Sequence, residues 1–195
     1  MYRLIAIAAF LLASSAAQAH VGVGDTHGFA HGFAHPLSGI DHILAMVAVG
    51  LFAAHLGGRA LYLVPLSFIA MMIVGGVLGI AGVSLPFVEI GIGLSVVVFG
   101  MAVAFGLNMP AALAMLLVGF FAIFHGHAHG TEMPESISGL AYGAGFVLAT
   151  ATLHAFGIGL GLIVGKTSRI FGERLLQALG GAMALVGIAI LTGYV

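Results

Sequence analysis

Residues Ala60–Ala81 read ALYLVPLSFIAMMIVGGVLGIA, without one Asp, Glu, Lys or Arg. A helix rises 1.5 Å per residue, so roughly 20 apolar residues cross the ~30 Å hydrocarbon core of a bilayer. An uncharged run of this length therefore reads as a membrane-spanning helix. Outward from it, breaks in the sequence mark five further apolar segments: Pro36–His55, Leu85–Phe105, Pro110–His125, Ile137–Val164 and Leu175–Tyr194. The expected fold is an all-α membrane protein, with about six transmembrane helices in one bundle over residues 36–195. Pro36, Pro86 and Pro110 fall at or near helix starts, where a missing N–H costs little. Pro65 falls inside the second span and predicts a kink.

Composition points the same way. The chain of 195 residues is 62% hydrophobic and 6% charged, whereas soluble domains carry about 25% charged residues. Such a chain cannot clothe itself in polar groups, and the lipid bilayer is its natural solvent. Five basic against six acidic residues exclude the basic face that nucleic-acid binding needs. The absence of cysteine excludes disulfides, thiolate metal sites and thiol nucleophiles. The 31 glycines allow close helix packing where lipid supplies no hydrophobic drive for association. Gly75, Gly79 and Gly82, and Gly157, Gly161 and Gly165, are spaced for it, within one chain or in a homo-oligomer.

The N-terminus, residues 1–19, has the layout of a secretory signal peptide. Arg3 precedes the apolar run Leu4–Ala13, and Ala17-Gln18-Ala19 is a small-x-small cleavage site. Cleavage leaves His20 as a free terminus outside the cytoplasm, an uncleaved first helix being the alternative. Residues 20–35 then form a His-rich periplasmic arm. With the first span running inward, Arg59, Lys166, Arg169 and Arg174 all fall in inner loops, as the positive-inside rule expects. The expected setting is a bacterial inner membrane, multi-pass, with both mature termini periplasmic.

Polar groups inside an apolar map mark function. Asp41 and Glu89 are acids at the outer ends of spans, and His154 lies deep in the fifth. Most histidines crowd the outer side, in two patterns. The first is His35-Pro-Leu-Ser-Gly-Ile-Asp41-His42. A continuous helix would set His35 and His42 two turns apart on one face, with Asp41 beside them. The second is Phe124-His125-Gly-His127-Ala-His129-Gly-Thr-Glu132. A helix would align His125, His129 and Glu132 on one stripe and point His127 away. Gly126 and Gly130 weaken that helix and predict unwinding around a polar cavity. Ahead of both, His27, His31 and His35 recur at every fourth residue, and His20 offers an amine beside its imidazole. Imidazole with carboxylate suits Ni, Co, Zn or Cu(II) rather than Mg or Ca. The methionines read as packing, and His55 as an interfacial residue without a metal role.

These motifs resemble the HupE/UreJ family of nickel and cobalt permeases, across essentially the whole chain. The block Phe124-His125-Gly126-x-Ala128-His129-Gly130-x-Glu132 is specific; Leu153-His154-x-x-Gly157 is weak. Five residues separate His35 from Asp41, which distinguishes the pattern from the His-x4-Asp-His signature of the separate NiCoT permeases. The resemblance implies a six-span secondary permease carrying Ni²⁺, or Co²⁺, as its substrate. It also implies a functional link to hydrogenase, urease or cobalamin assembly, and importance for His35, Asp41, His42, His125, His129 and Glu132.

The expected metal residues are thus His20, His35, Asp41, His42, His125, His129, Glu132 and His154, with His27, His31, Glu89 and His127 as further candidates. Gly165-Lys166-Thr167 does not make a nucleotide loop, because Leu160 stands where the motif needs glycine. No nucleotide is therefore expected. Two rival readings keep the same fold: an intramembrane metal-dependent hydrolase, for which no dedicated nucleophile is visible, and a membrane metal sensor or chaperone that binds without transport.

Overall fold

The computed structural model describes residues 25–133, 138–167 and 169–193. The expected signal peptide and His20 lie outside the described residues. Seven α-helices occur among those described: α1 (Asp25–Ala34), α2 (Ile40–Leu56), α3 (Ala60–Ile80), α4 (Val88–Ala104), α5 (Ala111–Glu132), α6 (Gly139–Thr167) and α7 (Arg169–Leu191). A 3-10 turn, His35–Leu37, joins α1 to α2. Helices α2 to α7 correspond to the six apolar segments. Four of them, α3, α5, α6 and α7, are long and apolar enough to cross a membrane, and α1 with α2 makes a fifth if that bent pair is one span. Of the six expected spans, four or five meet that length among the described residues. Helix α4 has 17 residues, about 25 Å of rise.

Helix α2 is the centre of the bundle, with every residue from Ala45 to Ala53 buried. It packs on α6, α4 and α3, while α3 pairs with α5, α4 with α7, and α1 lies on α6. Phe52, Phe68, Phe99 and Met46 are the largest apolar side chains buried within it. Exposed apolar residues such as Leu66, Val77, Leu116, Ile163 and Leu185 cover the outside, as lipid-facing helices require.

Glycine sets how closely the helices approach. A side chain at Gly126 would overlap the backbone of Met72 on α3, and one at Gly130 the backbone of Gly76. These two glycines therefore do not unwind the segment: α5 runs unbroken through Glu132, because the neighbouring backbone occupies the space a Cβ would need. Gly75, Gly79 and Gly157 also sit at backbone crossings, and Gly161 lies against Ala54. Gly82 does otherwise, adopting φ +71° in the turn after α3 with nothing packed against it, and Gly165 faces open space.

The second correction concerns the arm. The axes of the α1 segment and of α2 diverge by 79°, so His35 and His42 do not share one helix face. Pro36 favours the break, since it cannot donate a backbone hydrogen bond, and Gly39 caps α2 in extended conformation. Helix α1 is seated on α6: Gly32 rests on Tyr142 and Gly145 on Phe29.

Candidate metal centre

Four elements converge at one end of the bundle around a cavity of about 230 Å³. The turn before α2 brings His35, α2 brings Asp41 and His42, α4 brings Glu89, and α5 brings His129 and Glu132. His35 Nε2 lies 3.1 Å from Glu132 Oε2, across 97 residues of sequence. His129 Nδ1 is 4.0 Å from the same oxygen. One ligand atom each from His35, His129 and Glu132 fall within 4.8 Å of one another, a spacing that a single transition-metal ion can draw together.

Below this trio the rings form a chain. The His129 ring centroid lies 4.8 Å from that of His35 and 4.4 Å from that of His42. His42 in turn lies 4.8 Å from His125. On the outer side His31 stacks on His35 at 5.9 Å. Helical spacing explains the pair on α5: His125 and His129 are one turn apart and face the same neighbour.

Hydrogen bonds select which nitrogens are free. Asp41 Oδ1 accepts from both the backbone N–H of His42 at 2.8 Å and its ring Nδ1–H at 2.7 Å. A carboxylate can only accept, so the proton sits on Nδ1, and His42 Nε2 is left buried without a protein partner. The Ser95 hydroxyl donates to the Ile92 carbonyl at 2.6 Å and so must accept from His125 Nε2 at 2.8 Å. That leaves His125 Nδ1 as a buried lone pair. Both ring nitrogens of His129 are likewise buried and without a hydrogen-bond partner. Buried polar atoms are ordinarily satisfied, and a row of open imidazole nitrogens is the chemistry of a site for a borderline transition metal.

The remaining sequence candidates divide. Glu89 is exposed but lines the cavity. His27 is exposed on α1, while His31 reaches the chain through His35. His127 faces away, as its helical phase requires, and donates Nε2–H to the Val83 carbonyl at 2.7 Å, tying α5 to the turn after α3. His154 is buried on α6 with both ring nitrogens unpartnered among the described residues, and Phe68 stands in ring contact with both it and His125. His55 is exposed at the opposite end of α2, beside Gly106. Sequence reading gave no metal-site role to Ser95, a lone hydroxyl in the apolar α4, or to Phe68, which no spacing or composition singled out.

The family model described as HupE / UreJ protein matches residues 8–190. The chain belongs to the HupE/UreJ family. Among HupE/UreJ relatives, Protein HupE of Rhizobium leguminosarum bv. viciae is 47% identical over 186 residues, covering 95% of each chain. No solved structure matches this HupE/UreJ chain. The bundle described above is thus an all-helical membrane protein of the HupE/UreJ type, with its ligand-bearing motifs gathered at one end.

Proposed function

We propose that this protein is a secondary permease taking up Ni²⁺, or Co²⁺, across the bacterial inner membrane. The HupE/UreJ family is associated with nickel and cobalt uptake for hydrogenase and urease. The observation that carries the reading is the run of imidazole rings from His35 through His129 and His42 to His125, the last three with buried nitrogens that no protein group partners, leading inward from an acidic mouth. Nickel and cobalt both accept nitrogen and oxygen donors.

Capture begins at His31, His35 and Glu132, where a hydrated cation exchanges water for imidazole and carboxylate. His20, at the mature terminus after signal cleavage, adds a further chelating pair, and His27 lies next along the arm. Glu132, Asp41 and Glu89 offset the double positive charge. His129, with neither ring nitrogen held by the protein, offers its unprotonated nitrogen to the ion between the His35–Glu132 pair and His42 Nε2 and His125 Nδ1. Asp41 acts mainly by holding the His42 ring, in the manner of carboxylate–histidine–metal arrangements, and His154 takes the ion further in. Both mature termini lie in the periplasm, with Arg59 and Lys166 at the cytoplasmic end. The positive-inside distribution supports that orientation.

Uptake of Ni²⁺, Co²⁺ and Zn²⁺ by liposomes containing the full mature chain tests this reading. Saturable nickel or cobalt uptake, lost in His129→Ala, is the expected outcome. Binding without uptake would replace the permease with a sensor or chaperone. Because the chain has no cysteine, Arg59→Cys and Ser84→Cys report orientation directly: an impermeant thiol reagent should label the second from the periplasm and not the first.

A further inference from the structure

The imidazole chain stops at His125. The next ring nitrogen inward belongs to His154, and between them stands Phe68. The Phe68 ring centroid is 5.5 Å from that of His125 and 5.1 Å from that of His154, meeting the latter at 86°. All three side chains are sealed, at 0%, 0% and 1% exposure. Neither nitrogen of His154 has a partner among the described residues. A buried imidazole without a hydrogen bond calls for a ligand, yet the path to this one is closed by a benzene ring that offers none.

We propose that Phe68 is the internal gate of the transport path, separating the outer imidazole chain from an inner metal station at His154. The inference rests on the permease reading above. A dry apolar contact bars a hydrated ion, as hydrophobic constrictions do in channels, and an aromatic face replaces none of its water ligands with nitrogen. The helix is loosened close by. Pro65 lies in the same helix, three residues earlier. It cannot donate to the carbonyl of Leu61, so α3 lacks one rung of its ladder just before Phe68. The missing rung loosens the first turns of α3 beside Phe68, which gives the ring room to rotate aside while Gly75 and Gly79 keep their crossings with α5. His125 is then open to His154, and the ion exchanges one imidazole for the next.

The test uses the full mature chain, with Ni²⁺ alone as probe, and two readouts: equilibrium binding in detergent and initial flux into liposomes. Phe68→Ala removes the barrier, and its flux at saturating Ni²⁺ should rise about tenfold, equivalent to about 1.4 kcal/mol off the barrier. Phe68→Trp thickens the barrier, and its flux should fall about tenfold with binding changed less than about threefold. Phe68→Leu keeps an apolar side chain in the core and should fall between wild type and Phe68→Ala, which guards against a folding failure in the smaller variant. His154→Ala should lower flux in both the wild-type and the Phe68→Ala backgrounds. Wild-type flux in all three Phe68 variants would reduce the ring to packing and overturn the gate, as would flux changes that only track changes in affinity. A wild-type chain that carries no Ni²⁺ overturns the permease reading itself, so the two failures are distinct.

Discussion

Ser95 accepts a hydrogen bond from His125 Nε2 at 2.8 Å while donating its only proton to the Ile92 carbonyl at 2.6 Å. Both side chains are at 0% exposure, so water does not compete for either bond. The pair fixes the His125 tautomer and aims a bare Nδ1 lone pair into the chain of rings. Ser95→Ala should therefore weaken Ni²⁺ or Co²⁺ binding by about 10–100-fold, the usual cost of removing an outer-shell partner. Ser95→Thr retains the hydroxyl and should recover most of it. Isothermal titration of the purified chain, with the Co²⁺ absorption spectrum as a check on coordination, measures both. An unchanged affinity and spectrum in Ser95→Ala would remove the tautomer argument.

Asp41 holds His42 through its ring and its backbone N–H. Asp41→Asn retains an acceptor oxygen and loses the charge, whereas Asp41→Ala loses both. If orientation is the larger part of its work, metal affinity should fall in the order wild type, Asn, Ala, with Asn within about tenfold of wild type, since a neutral hydrogen bond of about 0.5–1.5 kcal/mol then replaces a charge-assisted one of about 1.5–3 kcal/mol. Equal loss in the two variants would instead make Asp41 a direct ligand. Equilibrium dialysis against Ni²⁺ decides between the orders.

Metal capture by imidazole must depend on pH in one direction. The metal binds the neutral ring, so protons and metal compete. Affinity should fall as pH drops through the range in which histidine protonates. Binding in weakly buffered solution should release protons, read with a pH indicator. His129→Ala removes one competing ring and should make the pH dependence shallower. A pH-independent affinity would mean that carboxylates alone hold the ion.

Gly126 allows α3 and α5 to touch backbone to backbone. Gly126→Ala forces them apart, and overpacking of this kind costs about 1–3 kcal/mol. Because Gly126 adjoins His125 on a rigid helix, the same shift displaces the ring chain. Thermal unfolding in detergent and Ni²⁺ binding should both weaken. Gly165→Ala, where an added Cβ would meet nothing within 4 Å, should change neither.

Much of the molecule was legible along the chain. Charge-free runs such as Ala60–Ala81 can be solvated only by lipid or by one another, so their helical nature follows from composition. The phase of α5 was equally legible: a period of 3.6 residues puts His125 and His129 on one side and His127 on the other. The glycines beside them were misread as helix breakers. Propensity describes an isolated helix, and here a partner backbone lies where the missing Cβ would have been.

Sequence by itself determined the membrane setting, the helical class, the kind of ligand atoms available and the stretch of chain that carries them. Each follows from local chemistry, namely transfer of apolar side chains out of water and the donor set of histidine and carboxylate. Tertiary structure alone decided that the chain turns between His35 and His42, that His35 meets Glu132 across 97 residues, and that Ser95 fixes one imidazole. It also decided that Phe68 stands between His125 and His154. Those relations depend on helix crossings set by packing between distant segments, and no periodicity within one segment encodes the neighbour against which it will rest.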